Sequence, residues 1–130
     1  MLEMEGFWQK IETQLGKKMQ IMGNMHHCVL WTGCTDKNGY GVKRVLWPNG
    51  ITTFERAHRV AYMADHQVTR FNIARIDIDG HQLDVSHVCH NKLCMNAAHL
   101  CLERHSVNKE RDHCKCIGRC TGGHYPLCLL

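Results

Sequence analysis

The sequence predicts a small α+β domain that bound zinc stabilises. A chain of 130 residues has the length of one domain, residues 1–130, and can bury only a modest core. Segments with helical periodicity and segments with strand-like alternation follow one another along it. Nine cysteines accompany eleven histidines. Because disulfides make no use of histidine, this joint enrichment favours metal binding.

Residues 1–22 are predicted to form an amphipathic N-terminal helix. The apolar side chains recur at steps of three and four residues: Phe7, Ile11, Leu15, Met19 and Met22. That spacing places them on one helix face, and we expect this face to pack against the core. Gly23-Asn24 is expected to end the helix.

Residues 28–66 are predicted to form a β-ribbon followed by a helix. Residues 40–47 and 51–54 are rich in strand-forming side chains and flank the turn sequence Pro48-Asn49-Gly50. The apolar spacing of residues 57–66 favours a short helix. Basic residues are frequent in and after this part of the chain: Lys37, Lys43, Arg44, Arg56, Arg59, Arg70 and Arg75. They predict a phosphate-facing surface, with a solvated basic face as the alternative.

The next part of the chain is predicted to contain two further strand segments and a helix. Residues 73–78 and 82–88 are expected to pair as a second hairpin across a short turn. A short strand is expected over residues 100–103. Ser106 is expected to cap a last helix that ends near His113.

A first group of metal ligands lies in one short segment. Cys89, Cys94 and His99 follow the order C-x4-C-x4-H. Tetrahedral zinc needs four ligands, and short loops between them keep the entropy of loop closure low. Cys28 is the first candidate for the fourth ligand and Cys34 the second. The alternative is that these cysteines are small buried apolar residues.

A second group of ligands lies near the C-terminus, in a segment that is rich in glycine. Cys114, Cys120, His124 and Cys128 have the most even spacing, and Cys116 is a substitute for Cys120. Few side chains here can form a core, so we expect zinc binding to order the segment. Both zinc sites are expected to be closed and structural.

Two polar residues outside these groups can carry chemistry. His87 ends a predicted strand, and Asn108 lies near the start of the last predicted helix. If zinc folds the intervening loop back, both side chains can face one point. A neutral imidazole can deprotonate water, and an amide oxygen is a hard ligand that suits Mg²⁺. With nearby arginines, these groups are sufficient for phosphodiester hydrolysis.

The segment around these residues resembles the His-Cys box of homing endonucleases, which belong to the HNH, or His-Me finger, nucleases. The matching residues are Ser86-His87-Val88-Cys89-His90-Asn91-Lys92-Leu93-Cys94-Met95-Asn96-Ala97-Ala98-His99-Leu100 and Ser106-Val107-Asn108-Lys109. Upstream segments are also similar to HNH proteins with this zinc loop: Cys28–Gly33, Gly39–Gly41 and Ala57–Tyr62. The resemblance, which covers about residues 28–128, implies a ββα-metal fold with its core over residues 84–113, an additional β-hairpin and a second zinc loop over residues 114–130; the predicted N-terminal helix lies outside it.

The resemblance implies a Mg²⁺-dependent DNA endonuclease. His87 would be the general base and Asn108 would hold one Mg²⁺. Residues 40–56 would enter the major groove of duplex DNA, and Arg56, or as second choice Arg59, would stabilise the scissile phosphate. The implied ligands of the two structural zinc ions are Cys28, Cys89, Cys94 and His99, and Cys114, Cys120, His124 and Cys128. The alternative is a non-catalytic zinc-stabilised DNA-binding module.

Charge and the chain termini set the remaining expectations. A net charge of +4 permits nucleic-acid binding without requiring it. No apolar run approaches the roughly 20 residues that cross a bilayer, so no membrane partner is expected. The acidic N-terminus does not resemble a secretory signal, which favours an intracellular protein, in the nucleus or the cytoplasm. In the family that the chain resembles, a long C-terminal arm can join two subunits; only two residues follow Cys128 here, so a homodimer, where one forms, is expected to use another surface.

Overall fold

The computed structural model describes residues 2–22 and 27–129. The helices are α1 (Leu2–Gly16), α2 (Ala57–His66) and α3 (His105–Ile117). The strands are β1 (Met19–Ile21), β2 (Val29–Trp31), β3 (Val42–Leu46), β4 (Thr52–Arg56), β5 (Leu83–His87) and β6 (Leu100–Arg104), with a 3₁₀ turn at Ala97–His99. This arrangement confirms the predicted α+β class. None of the described helices is both long and apolar enough to cross a membrane.

The strands form three separate antiparallel pairs, β1–β2, β3–β4 and β5–β6. The β3–β4 pair confirms the predicted ribbon, with Val42 opposite Arg56 at its base and Leu46 opposite Thr52 near the turn. α2 follows β4 directly and has the bounds that its periodicity predicted. β5, β6 and α3 form a ββα unit, and the loop that joins its two strands carries the first group of predicted zinc ligands.

The N-terminal helix is shorter than predicted. α1 ends at Gly16, a residue type that loses more conformational freedom in a helix than any other. Met19–Ile21 then pairs with β2. Met19 is 42% exposed, so this member of the predicted apolar stripe does not reach the core. The predicted break at Gly23-Asn24 lies outside the described residues.

The predicted second hairpin forms only around its turn, where the backbone N–H of Asp77 donates to the His81 carbonyl and that of Leu83 donates to the Arg75 carbonyl. Residues 73–78 contain no strand, and a single isolated bridge joins Ile76 to Gln82. β5 pairs instead with β6, from Leu83 opposite Arg104 to His87 opposite Leu100. The β5–β6 pairing joins five consecutive residue pairs, whereas the pairing of residues 73–78 with β5 is limited to one bridge.

The last helix differs from its prediction at both ends. The backbone of Arg104 is extended and precedes the first helical residue, so Ser106 lies inside α3 and does not cap it. The helix continues past His113 to Ile117, and the capping residue Gly118 has a left-handed φ of 76°, which suits glycine. This extension places Cys114 on the helix.

The hydrophobic core lies between α1, α2 and the β3–β4 ribbon. Trp8 of α1 and Trp47, which follows β3, are almost fully buried, and their ring centroids are 6.4 Å apart. Val60 and Met63 of α2 belong to the same cluster. Burial of these large side chains holds α2 firmly against the ribbon. α2 can therefore present the polar residues of its first turn to β5.

Candidate metal centres and active site

Strand β2 brings Cys28 to the loop that carries the other ligands of the first group. The backbone N–H of Trp31 donates to the Leu93 carbonyl at 2.8 Å, and that of Met95 donates to the Val29 carbonyl at 2.6 Å. These two bonds fix the loop along β2. Cys28, immediately before β2, therefore lies beside the loop although it is far from it in sequence.

The first group has the dimensions of a tetrahedral zinc site. The Sγ atoms of Cys28 and Cys94 lie 3.6 and 3.5 Å from His99 Nδ1. Tetrahedral zinc with ordinary bond lengths separates sulfur from nitrogen by about 3.6 Å. The ligand atoms of all four residues, Cys89 included, lie within 4.8 Å of one another. Cys34, the second candidate for the fourth ligand, is exposed and lies outside the group.

One thiol of the first group, that of Cys94, has a lowered pKa, whereas burial and the neighbouring thiols raise the pKa of the other two. A hydrogen bond from the Cys89 thiol lowers the pKa of Cys94 to about 4, and backbone N–H groups of Asn96 and Val29 contribute. Burial raises the pKa of Cys28. A thiolate held this close to other thiols and an imidazole is a donor set that suits zinc.

The second group is built on the last turn of α3 and the turns that follow. His124 Nε2 lies 4.0 Å from Cys114 Sγ, 3.4 Å from Cys120 Sγ and 3.3 Å from Cys128 Sγ. All four ligand atoms again lie within 4.8 Å of one another. The backbone N–H of Cys128 donates to Cys120 Sγ at 3.4 Å and lowers the pKa of Cys120 to about 6. The donors and their spacing fit a second structural zinc.

The zinc content of two variants tests whether Cys120 or Cys116 is the zinc ligand. Cys116 is exposed on α3 and lies outside the second group, so its loss should not affect zinc binding. The wild-type protein and Cys116→Ser are expected to hold two zinc ions per chain, whereas Cys120→Ser is expected to hold one. Elemental analysis after gel filtration in a weak chelator measures these values. Loss of zinc from Cys116→Ser would show that the described ligand set is wrong.

A polar pocket of about 240 Å³ lies between the base of the ribbon, α2, β5 and α3. It brings together the four residues to which the sequence assigned catalytic roles: Arg56, Arg59, His87 and Asn108. Tyr40, His58, Asp84 and His105 also line it, and the sequence analysis assigned no role to them. The pocket does not distinguish between Arg56 and Arg59, since it contains both.

His87 is held in a defined orientation by the first zinc loop. The residue is 9% exposed, and its Nε2 lies 3.0 Å from the Cys94 carbonyl oxygen. A carbonyl only accepts hydrogen bonds, so Nε2 carries the proton and Nδ1 of the neutral ring carries the lone pair. Burial lowers the pKa of His87 to about 4, and the ring is therefore neutral at pH 7.

A second buried histidine packs against His87. The ring centroids of His58 and His87 are 4.2 Å apart, and His58 Nε2 donates to the Val85 carbonyl at 3.1 Å. Burial, together with neighbouring His87, holds the pKa of His58 well below its usual range. No local pattern in the sequence pointed to His58, since its role depends on its contact with His87. His58 gives the His87 ring a rigid support.

Tyr40 positions Arg56 at the edge of the pocket. The Arg56 guanidinium lies 3.9 Å from the centroid of the Tyr40 ring, and Arg56 Nε lies 3.5 Å from Asp36 Oδ2. Stacking and an ion pair together restrict a long side chain that would otherwise be mobile. The guanidinium is thus held where a phosphate could reach it.

Asn108 and Asp84 meet on the opposite side of the pocket. Asn108, in the first turn of α3, donates from Nδ2 to Asp84 Oδ2 at 3.0 Å. His105 Nδ1 donates to the same oxygen at 2.6 Å. Burial raises the pKa of Asp84, but hydrogen bonds from Asn108, His105 and Gln82 outweigh it and leave the pKa below its ordinary value. Asp84 is therefore ionised at neutral pH.

A buried ion pair connects the ββα unit to the second cysteine group. Arg111 of α3 is 1% exposed and donates to both carboxylate oxygens of Glu103 on β6, at 2.6 and 2.9 Å. Arg111 Nη1 also donates to Cys128 Sγ at 3.4 Å. Burial raises the pKa of Glu103, but the bonds from Arg111 lower it further, so the pair stays ionised. No pattern in the sequence pointed to this pair.

Comparison with known proteins identifies the family. Residues 26–128 match the family described as the zinc-binding loop region of homing endonuclease. That range contains both cysteine and histidine groups and every residue proposed for catalysis. No curated protein matches the sequence. Because the family match spans most of the chain, the protein belongs to the family of homing endonuclease zinc-binding loop proteins.

Proposed function

We propose that this protein is a Mg²⁺-dependent DNA endonuclease that hydrolyses phosphodiester bonds. Membership of a homing endonuclease family supports a nuclease-related function. The observation that carries the proposal is one pocket in which a neutral, oriented histidine faces an asparagine and two arginines. The finer resemblance to the His-Cys box supports the same roles for His87 and Asn108.

His87 acts as the general base. Its Nε2–H is committed to the Cys94 carbonyl, so Nδ1 takes the proton from the attacking water. The water oxygen forms a bond to phosphorus, its proton passes to Nδ1, and the bond between phosphorus and the leaving 3′ oxygen breaks. Because Cys94 also belongs to the first zinc group, the structural zinc fixes the orientation of the base.

Asn108 holds the divalent cation through Oδ1. An amide oxygen is a hard ligand of the kind that Mg²⁺ accepts, and the Asp84 carboxylate beside it adds negative charge. When bound, Mg²⁺ supplies positive charge that stabilises the scissile phosphate and the leaving oxygen. Arg56 and Arg59 add fixed positive charge, and a guanidinium can bind two phosphate oxygens at once.

The β3–β4 ribbon is the surface proposed to contact duplex DNA. Arg44 and Phe54 lie opposite each other on its outward face, and Phe54 is 73% exposed. Arg56 lies on the same face, because side chains alternate between faces with a period of two. A two-stranded ribbon fits the major groove. Groove contacts would therefore continue directly into the pocket that cleaves the backbone.

A plasmid assay tests the proposal. The zinc-loaded protein with Mg²⁺ is expected to convert supercoiled plasmid into nicked circles. EDTA is expected to stop nicking at once, whereas circular dichroism follows the slower unfolding that accompanies zinc removal. A protein that shifts DNA in a gel but cleaves neither duplex DNA, single strands nor RNA with Mg²⁺ or Mn²⁺ would be a non-catalytic zinc-stabilised DNA-binding module.

A further inference from the structure

Asp84 is the acidic side chain among the described residues that line the pocket, and its partners are unexpected. Arg56, Arg59 and Lys109 line the same pocket. The Asp84 carboxylate nevertheless pairs with none of these cations in the described part of the chain. Its hydrogen bonds come instead from Asn108, His105 and Gln82. The carboxylate therefore hydrogen-bonds to the residue proposed to hold the cation, and among the residues that the structure describes it forms no direct ion pair with the arginines proposed to hold the phosphate.

The chemistry of this contact fixes the orientation of the Asn108 amide. An ionised carboxylate only accepts hydrogen bonds, so Asn108 must present its NH₂ group to Asp84. The amide oxygen then points away from Asp84. In the described part of the chain, no hydrogen bond reaches this Oδ1. One contact thus selects the amide rotamer and leaves its acceptor free.

The carboxylate itself is held rigidly. Its Oδ2 accepts hydrogen bonds from Asn108 and from His105, while Oδ1 accepts one from Gln82 at 3.0 Å. The Asp84 side chain is 19% exposed. Both donors to Oδ2 lie in the first turn of α3, and Asp84 lies on β5, the strand that ends at His87. The contact therefore also fixes the distance between the proposed base and the proposed cation ligand.

We propose that Asp84 is a positioning residue for the cation, which holds Asn108 with Oδ1 facing the pocket. The inference rests on the proposed function, since it concerns how that site binds its cation. Hydrogen-bonded partners of metal ligands commonly contribute about 10–100-fold to metal affinity. Asp84 would contribute to cation affinity by this amount through its hydrogen bond with Asn108, and would not itself be a ligand of the cation.

Two substitutions separate positioning from direct ligation. Asp84→Ala removes the acceptor for Asn108 and is expected to raise the Mg²⁺ concentration for half-maximal nicking by about 10–100-fold. Asp84→Asn keeps a neutral acceptor oxygen and is expected to stay within a few-fold of the wild type. Asp79→Ala removes an exposed carboxylate outside the pocket and is expected to leave the Mg²⁺ requirement unchanged.

An NMR measurement gives a readout that does not depend on activity. The side-chain NH₂ signal of Asn108, assigned by its absence in Asn108→Asp, is expected to exchange slowly with water in the wild type and rapidly in Asp84→Ala. Mn²⁺ is added to the zinc-loaded full chain. It is expected to broaden this signal at a lower concentration in the wild type than in Asp84→Ala. Thermal unfolding of the same samples reports any general loss of stability.

Each outcome decides the inference. An unchanged Mg²⁺ requirement in Asp84→Ala, with or without a lower melting temperature, would reduce Asp84 to a structural residue and overturn the proposal. An Asp84→Asn variant as impaired as Asp84→Ala would make Asp84 a ligand, which also overturns it. If the wild type cleaves nothing, the proposed function fails, while the exchange rates of the Asn108 amide still confirm or refute the positioning contact.

Discussion

Replacing His87 with alanine is expected to lower the rate of plasmid nicking by about 10²–10⁴-fold, the usual contribution of a general base. The His87 imidazole is neutral, is oriented by a backbone carbonyl and can take up a proton at Nδ1, whereas Nδ1 of the neighbouring His58 is buried. DNA affinity is expected to stay within a few-fold of the wild type, because His87 is buried and carries no charge. Nicking rates at saturating Mg²⁺ and gel-shift titrations measure the two effects.

Two further variants make the His87 result specific. His87→Gln keeps an N–H group for the Cys94 carbonyl but cannot accept a proton at neutral pH, so it is expected to lose activity while it retains both zinc ions. His113→Ala removes an exposed histidine from α3 and is expected to leave the nicking rate unchanged. Nicking by His87→Gln at the wild-type rate would exclude His87 as the base.

Local pattern was sufficient to predict several elements of the fold. The bounds of α2 follow from a short apolar period, and the ribbon follows from the strand-forming residues on either side of the turn sequence Pro48-Asn49-Gly50; both signals are local. Each ligand group was also recognisable from spacing, because three or four of its donors lie within one short segment. The structure brings together the ligands expected from that spacing and places the distant Cys28 beside them.

Long-range pairing explains where the sequence analysis failed. A short turn next to residues 82–88 favoured a local hairpin, yet β5 pairs with β6, beyond the zinc loop. The zinc loop connects β5 to β6 and brings them together as a pair. No local sequence pattern near β5 indicates that its partner lies beyond this loop. The same limit applies to Asp84 and His58, since their roles depend on distances to Asn108 and His87 that only the folded chain defines.

Replacing Arg111 with leucine is expected to destabilise the protein by about 3–5 kcal/mol, the cost of leaving one member of a buried ion pair without its partner. Glu103 is 9% exposed in this pair, so water can restore little of the lost interaction. Urea unfolding with saturating zinc measures the change. Arg104→Leu is the matched control, because Arg104 also pairs with two carboxylates but is 42% exposed, so solvent screening is expected to make its loss far less costly than that of Arg111.

The Arg111 variant also tests whether the ion pair supports the second zinc site. Arg111 donates to Cys128 Sγ, and a cationic donor favours the thiolate form that binds zinc. Arg111→Leu is therefore expected to weaken zinc binding at this site by about 10–100-fold in chelator competition, with the first site unchanged. Replacing Glu103 and Arg111 together with leucine is expected to recover much of the unfolding free energy, because no buried charge is then left unpaired, but not the zinc affinity. If the double variant recovers both the unfolding free energy and the zinc affinity, the contact of Arg111 with Cys128 contributes nothing to zinc binding. If it recovers only the unfolding free energy, Arg111 stabilises the ββα unit through Glu103 and the second zinc site through Cys128.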